Sequence, residues 1–422
     1  MLQRFGLHAL AHGPFRRFFA ANFFTNASWF VYNAAFGWLV LKLTGSPATV
    51  GFAYFVSGLP FLLLTLHAGL LTDRFGARPL IVWSFVLTGG FMFALGALAL
   101  VPDAPLPLVI GLAFLSGCTQ TLGGPAYIAI VNDLVPSTAV SSGVALTFLG
   151  FNIGRISGGL LGGLLVAVWP SGWALIAAAV LQAAPALAIW RIRTPAPEGR
   201  PAGGGALFRP LLEAAQYGLR SSSLGVVLPL AVAPGMLGLS YSYLLPVAAE
   251  EFAVGAEGLG IFLAVTGVGG LVAGLVAEGV MRVVGHGSMV FVGLAMAALG
   301  MVVFGLAPVP GVAAASMAFV GAGLLIFGAS SLSVVQALSP PSLRGRLTSL
   351  FTFLYWGMMP VGGLLGGAVA EFTSARFAMT AFGLSILVAG LLAFVARRSL
   401  ARVRIDGQGG RVGDLARLDE AA

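Results

Sequence analysis

The sequence is poor in the residues that soluble enzymes use for chemistry. Charged residues make up only 9% of the 422 positions, and the chain has one lysine, one cysteine and four histidines. A Walker-type phosphate loop needs a lysine after glycine, but Lys42 follows leucine, which excludes that route to ATP. Cys118, without a second cysteine, cannot form an internal disulfide. We therefore expect no enzyme activity, no catalytic residues, no metal and no cofactor.

The chain is instead rich in long apolar runs. Hydrophobic residues make up 58% of it, and about 20 such residues in a row are enough for a helix to cross the ~30 Å hydrocarbon core. These runs predict an all-α polytopic membrane protein with twelve transmembrane helices, called spans 1 to 12 here. The expected spans are 18–41, 48–71, 79–101, 106–131, 138–166, 172–190, 224–248, 257–281, 287–307, 311–336, 345–370 and 376–396.

The formal net charge of +8 reflects membrane topology rather than a nucleic-acid partner. With twelve spans, nineteen arginines fall on one side of the membrane, and only Lys42 and Arg376 fall on the other. Basic residues concentrate on the cytoplasmic side of membrane proteins. We therefore expect an integral protein of the bacterial inner membrane with both termini in the cytoplasm.

An internal repeat divides the chain. The motif GGLLGG occurs at 158–163 and again at 362–367, and Pro136 and Pro340 keep the same separation of 204 positions. We predict two six-helix bundles, a cytoplasmic linker with a short amphipathic helix at 207–219, and a C-terminal tail without regular structure. The boundaries are 1–190 for the first bundle, 191–223 for the linker, 224–398 for the second bundle and 399–422 for the tail.

The stretch GLLTDRFGARP, from Gly69 to Pro79, lies between two apolar runs and predicts a hairpin tip. It resembles the loop signature of the major facilitator superfamily between helices 2 and 3. Other segments, among them WLVLKLTGS, NIGRISGGLLGG and RGRLTSL, are similar to the drug and siderophore exporter branch, which includes enterobactin exporters and macrolide efflux proteins. The resemblance covers nearly the whole chain.

This resemblance implies a function as well as a fold. Major facilitators place a substrate path near the bilayer midplane, between two related bundles. The implied function is a monomeric secondary transporter that works by alternating access and exports a bulky amphipathic compound, such as a drug or siderophore, in exchange for protons. Two alternatives stay open: import or facilitated passage of a small metabolite or lysolipid, and a sensor that binds without transport. No acid lies deep inside a span, so the coupling ion is also open.

The resemblance further implies a conformational gate on the cytoplasmic side. It places Asp73 opposite the start of span 11, and Glu278 opposite the start of span 5. Contacts of this kind would form and break as the transporter changes state. The expected gate residues are Gly69, Asp73, Arg74, Gly76, Arg78, Glu278, Arg344 and Arg346.

Arg155 is the only ionised residue well inside a predicted span. A central arginine costs at least ~2.5 kcal/mol on insertion scales, so such residues usually face the bundle interior or water. Arg155 would therefore either contact an anionic substrate or brace the fold through backbone carbonyls. The expected substrate path comprises Asn26, Trp29, Asn33, Gln120, Asn152, Arg155, Tyr241, Tyr243 and Ser330, and each polar member has helix–helix packing as its alternative.

Span 5 also carries small residues at helical spacing. Gly154, Gly158 and Gly162 recur every four positions, with Gly163 beside the last. Glycines at this spacing let a second helix approach closely. They resemble the helix 5 motif of antiporters, although Gly159 stands where proline is common. Dense packing and a pivot between the halves are both compatible with the pattern.

Overall fold

The computed structural model describes residues 8–136, 139–192, 208–396, 400, 403–405 and 411–412. Within these ranges a few helical side chains, including that of Asp73, lie outside the description. Most of the linker and most of the tail also lie outside it.

The described residues are almost entirely helical. After a short 3-10 turn at His8–Ala11, the first six helices are α1 (Gly13–Thr44), α2 (Pro47–Phe75), α3 (Ala77–Leu98), α4 (Leu106–Leu134), α5 (Val140–Val168) and α6 (Ser171–Trp190). The next nine are α7 (Phe208–Arg220), α8 (Leu224–Ala233), α9 (Tyr241–Glu251), α10 (Gly255–Val284), α11 (His286–Leu306), α12 (Pro310–Leu338), α13 (Arg344–Trp356), α14 (Met359–Phe372) and α15 (Ala375–Ala396).

These helices supply the expected spans. In the described chain, eleven segments are long and apolar enough to cross a membrane. They include Leu224–Glu251, which joins α8 and α9, and Arg344–Phe372, which joins α13 and α14. The first expected span, within α1, is not among the eleven, although α1 has 32 residues. Its three asparagines lower its hydropathy, and the structure uses all three as hydrogen-bond donors.

Spans 7 and 11 are interrupted rather than continuous. Between α8 and α9, Pro234–Gly238 forms one π-helical turn in which the Leu239 amide donates to the Pro234 carbonyl at 2.8 Å. Gly362 of α14 packs against this turn so closely that a Cβ atom would lie 1.5 Å from the Met236 carbonyl oxygen. Proline lacks an amide donor, so a wider turn is a common accommodation in a membrane helix.

The junction between α2 and α3 is shorter than the predicted hairpin tip. Helix α2 continues to Phe75 and α3 begins at Ala77, so Gly76 alone reverses the chain. Its φ of 83° and ψ of 154° lie in a region that is essentially restricted to glycine. Gly285, between α10 and α11, has nearly the same conformation, with φ 99° and ψ 143°. The charged motif is thus helical except at Gly76.

The linker contains the predicted amphipathic helix, observed as α7. The tail differs in part from expectation, because Leu400 and Val403 are buried and the Gly287 amide donates to the Val403 carbonyl at 3.1 Å. These two apolar residues pack against the start of α11. Two residue pairs, Arg404–Ile405 and Arg411–Val412, then form a minimal antiparallel ladder.

By internal contacts the chain divides into two compact units. The first comprises Met1–Gly204 and Leu245–Gly267, and the second comprises Gly205–Leu244 and Val268–Ala422. The sequence had assigned Leu245–Gly267 to the second bundle. In the first unit this stretch meets α1 through an ion pair between Lys42 and Glu250. The structural division therefore falls inside spans 7 and 8 as well as in the linker.

Candidate substrate site

Helix α5 is positioned by one glycine face against α1. A Cβ atom on Gly154 would lie 2.6 Å from the Asn26 Cβ, and one on Gly158 would lie 2.4 Å from the Ala27 carbonyl oxygen. Distances under 3.0 Å leave no room for a side chain. The two backbones therefore touch along this face, as glycines at a spacing of four allow.

A second glycine face of α5 meets the start of α10 within the same unit. A Cβ on Gly163 would lie 2.6 Å from the Gly260 Cα, and one on Gly159 would lie 2.8 Å from the Leu263 Cβ. Helix α5 is thus held on two sides, which fixes its rotation. Arg155 lies on the same helix, one turn before Gly159.

Arg155 lies over two aromatic rings. Its guanidinium carbon is 5.2 Å from the ring centroid of Phe30 and 4.9 Å from that of Phe151. The two rings are themselves 5.7 Å apart and inclined at 66°, and Trp29 meets Phe30 edge-on at 4.7 Å. Arg155, Phe30, Phe151 and Trp29 are called the arginine–aromatic cluster below.

The aromatic rings offset much of the insertion cost of this cation, but they do not satisfy its Nε donor. Each cation–π contact contributes about 0.5–2 kcal/mol, depending on desolvation, and the insertion scales assign a central arginine about 2.5–3.5 kcal/mol. In addition, Arg155 Nε is buried without a hydrogen-bond partner among the described residues. An unsatisfied buried donor costs a further ~1–3 kcal/mol. The cluster therefore favours an incoming hydrogen-bond acceptor.

All three asparagines of α1 donate hydrogen bonds. The Asn22 amide donates to the Thr147 carbonyl of α5 at 2.9 Å, while its oxygen accepts from the Tyr127 hydroxyl of α4 at 3.1 Å. Asn33 is buried and donates to the Trp29 carbonyl at 2.8 Å. These two residues act as internal contacts. Asn26 is half-buried beside Gly154, and its amide donates to the Asn22 carbonyl at 2.7 Å and to Asn22 Oδ1 at 3.0 Å.

The remaining expected path residues have different surroundings. Asn152 is buried and donates to the Phe148 carbonyl of its own helix at 3.0 Å. Ser330 has an exposed fraction of 0%, and its hydroxyl lies 3.4 Å from Met281 Sδ. Tyr241 and Tyr243 are also buried, whereas Gln120 is exposed on α4. The structure thus places Asn26 against Gly154, links Trp29 to Arg155 only through Phe30, and gives Ser330 the position of a core residue.

The expected gate residues make local contacts. Arg78 donates to the carbonyl of Trp190 at the end of α6, and Glu278 pairs with Arg282, one turn along the same helix, at 3.1 Å. Arg346 lies 3.7 Å from Glu213 of α7. The side chain of Asp73 lies outside the described part, Gly69 belongs to α2, and Arg74 and Arg344 are exposed. A gate role for these residues stays a prediction.

Sequence reasoning missed two partners. Phe151 stands four residues before Arg155, a spacing that places both side chains on one helix face, so this contact could have been found. Glu213 gave no comparable signal as a partner of Arg346, because the two residues are 133 positions apart and belong to different helices.

Comparison with known proteins decides the family. The model of the transmembrane secretion effector family, a group of major facilitators, matches residues 6–404 of the chain. The chain belongs to this family. Among curated relatives, the enterobactin exporter EntS of Citrobacter koseri is 26% identical to this chain over 400 residues, covering 93% of this chain and 94% of the relative. The enterobactin exporter EntS of Salmonella typhimurium is 25% identical over 402 residues, with the same coverage of each chain.

Solved structures share the fold at much lower identity. A POT family transporter in complex with 5-aminolevulinic acid superimposes with a TM-score of 0.74 at 14% identity, over 92% of this chain and 97% of its own. A bacterial homologue of the human lysosomal transporter Spinster gives 0.71 at 14% identity, over 94% and 99%. These structures show the shared fold. Family membership makes the chain an integral membrane transporter of the major facilitator type, with a small-molecule substrate as its partner.

Proposed function

We propose that this transporter exports a bulky amphipathic compound that carries an anionic or strongly hydrogen-bonding group, by alternating access and in exchange for protons. The arginine–aromatic cluster carries the proposal. It offers a planar cation with an unused donor, Arg155 Nε, framed by flat apolar rings. A ligand with an acidic group next to an apolar body complements both parts. The similarity to enterobactin exporters supports the outward direction.

The proposal includes the orientation of the protein. The arginine-rich ends face the bacterial cytoplasm, both termini lie there, and the functional protein is a monomer. The substrate would then enter from the arginine-rich side. Because bacterial cells maintain a proton gradient directed inwards, exchange with protons would drive the compound outwards.

Transport in reconstituted vesicles tests the proposal. Vesicles with the cytoplasmic face outwards and an acidic lumen should accumulate a fluorescent amphipathic carboxylate, and an uncoupler should abolish the accumulation. Replacing Arg155 by glutamine should lower the rate about tenfold or more, because a charge-assisted hydrogen bond contributes ~1.5–3 kcal/mol. The uncharged methyl ester of the same probe should be affected far less.

Two controls make the result specific. Arg155→Lys keeps the charge but loses the planar, stacking guanidinium, so it should restore only part of the rate. Arg17→Gln removes an exposed arginine at the start of α1 and should match the unmodified protein. Binding of the probe without accumulation would contradict transport, accumulation that ignores the uncoupler would contradict proton exchange, and equal loss for acid and ester would contradict the role of Arg155.

A further inference from the structure

An apolar groove lies between α3 and α6 of the first unit. It has a volume of about 540 Å³, and its lining includes Val86, Gly90, Ala179, Ala183, Leu187 and Trp190. This volume is within the ~300–1,000 Å³ typical of small-molecule sites. Val86, Leu187 and Trp190 are exposed by 50%, 47% and 61%, so the groove opens to the outside of the helix pair.

The backbones of the two helices approach most closely at one end. A Cβ on Gly96 would lie 2.8 Å from the Gly172 carbonyl oxygen, which leaves no space between the helices there. At Gly89 the nearest atom, the Ala179 carbonyl oxygen, would be at 3.5 Å, an ordinary contact. A Cβ on Gly90 would meet nothing within 4 Å. The space therefore widens towards Trp190.

The wide end of the groove is basic. Arg78 donates to the Trp190 carbonyl there, and Arg191 follows Trp190 directly and is exposed. The described contact uses one of the five donors of the Arg78 guanidinium, so others remain for a ligand. Arg74, one turn earlier in the chain, is also exposed. Even with Asp73 counted, these four side chains carry a net charge of +2.

We propose that this groove binds one acidic glycerophospholipid, with an acyl chain between α3 and α6 and the phosphate at Arg78 and Arg191. The chemistry of the groove is apolar along its length and basic at one end, which complements such a lipid. Arginine and tryptophan at a helix end mark the membrane interface, where lipid headgroups lie. The proposal does not depend on what the protein transports.

Lipid binding to the full-length protein in mild detergent tests the proposal, with native mass spectrometry as the readout. The probes are phosphatidylglycerol and phosphatidylcholine with identical acyl chains. We expect the unmodified protein to prefer phosphatidylglycerol. In Arg191→Gln the ratio of phosphatidylglycerol to phosphatidylcholine binding should fall about fivefold, the equivalent of ~1 kcal/mol per basic residue near anionic lipid. Gly90→Leu should fill the groove and reduce the binding of both lipids.

A matched control separates the groove from general effects of a larger side chain. Gly111 of α4 is exposed, has nothing within 4 Å of a Cβ position and does not line the groove. Gly111→Leu should bind both lipids like the unmodified protein. Two results would overturn the lipid preference or the groove: equal binding of the two lipids by the unmodified protein, and unchanged binding by Gly90→Leu. A matching loss in Gly111→Leu, or dimerisation through this face, would also overturn the proposal.

Discussion

At the scale of the residue, the sequence predicts how deep a side chain lies in the membrane but not which side chains surround it. Arg155 and Ser330 were both expected on the substrate path because each is polar inside an apolar run. In the structure Arg155 is half-buried over two rings, whereas Ser330 is fully buried beside a methionine. Apart from Phe151, the difference arises from residues on other helices, Phe30 on α1 and Met281 on α10, which the sequence around Arg155 and Ser330 does not reveal.

Gly158 allows a prediction at the same scale. In Gly158→Ala the new methyl group would press on the Ala27 carbonyl of α1, which is backbone and cannot move aside. We expect a loss of stability of about 1–3 kcal/mol, the usual cost of overpacking, seen as a lower unfolding temperature in detergent.

The control for this substitution is Gly124→Ala in α4, where a Cβ would have open space. Alanine is favoured over glycine in a helix by ~1 kcal/mol, so this variant should unfold at the same or a higher temperature. Equal destabilisation of both variants would contradict the close contact between α5 and α1.

At the scale of the element, the charged motif from Gly69 to Pro79 resembles a loop signature of the superfamily but is mostly helical. The sequence predicts a loop from Gly69 to Pro79, but helical hydrogen bonding continues through most of it. The reversal needs a single residue with positive φ, which glycine supplies at position 76. Gly285, also with positive φ, reverses the chain between α10 and α11.

Replacement of Gly76 by alanine should therefore strain the junction. A side chain at φ 83° and ψ 154° costs about 1–3 kcal/mol, and thermal unfolding in detergent should occur at a lower temperature. Gly279→Ala, inside α10 with open space around a Cβ, is the matched control and should not be destabilised. An unchanged unfolding temperature for Gly76→Ala would show that the junction tolerates a side chain.

At the scale of the whole molecule, the internal repeat has a structural counterpart in each unit. The first GGLLGG packs against α1, through Gly158 and Gly162. The second packs against the π-helical turn of span 7, through Gly362. A duplicated sequence thus uses its glycines for the same kind of close helix contact twice, once in each unit.

Twelve spans predict the side of the membrane on which each loop lies. In a Cys118→Ser background, Val101→Cys and Val309→Cys replace exposed residues on the side away from most arginines. A membrane-impermeant maleimide should label both in intact cells. Gly345→Cys, exposed at the start of α13, should react only after the membrane is opened. Labelling of Gly345→Cys in intact cells would contradict the assigned orientation.

The sequence by itself determined the class of the molecule and the approximate limits of most spans, and it predicts which side of the membrane is basic. Hydropathy and charge are properties of single residues that sum over a segment, so both can be read directly from the sequence. Only the tertiary structure decided that Phe30 joins Arg155, that Arg346 pairs with Glu213, and that α3 and α6 separate into a groove. Each of these depends on side chains from distant parts of the chain, which meet only when the helices pack.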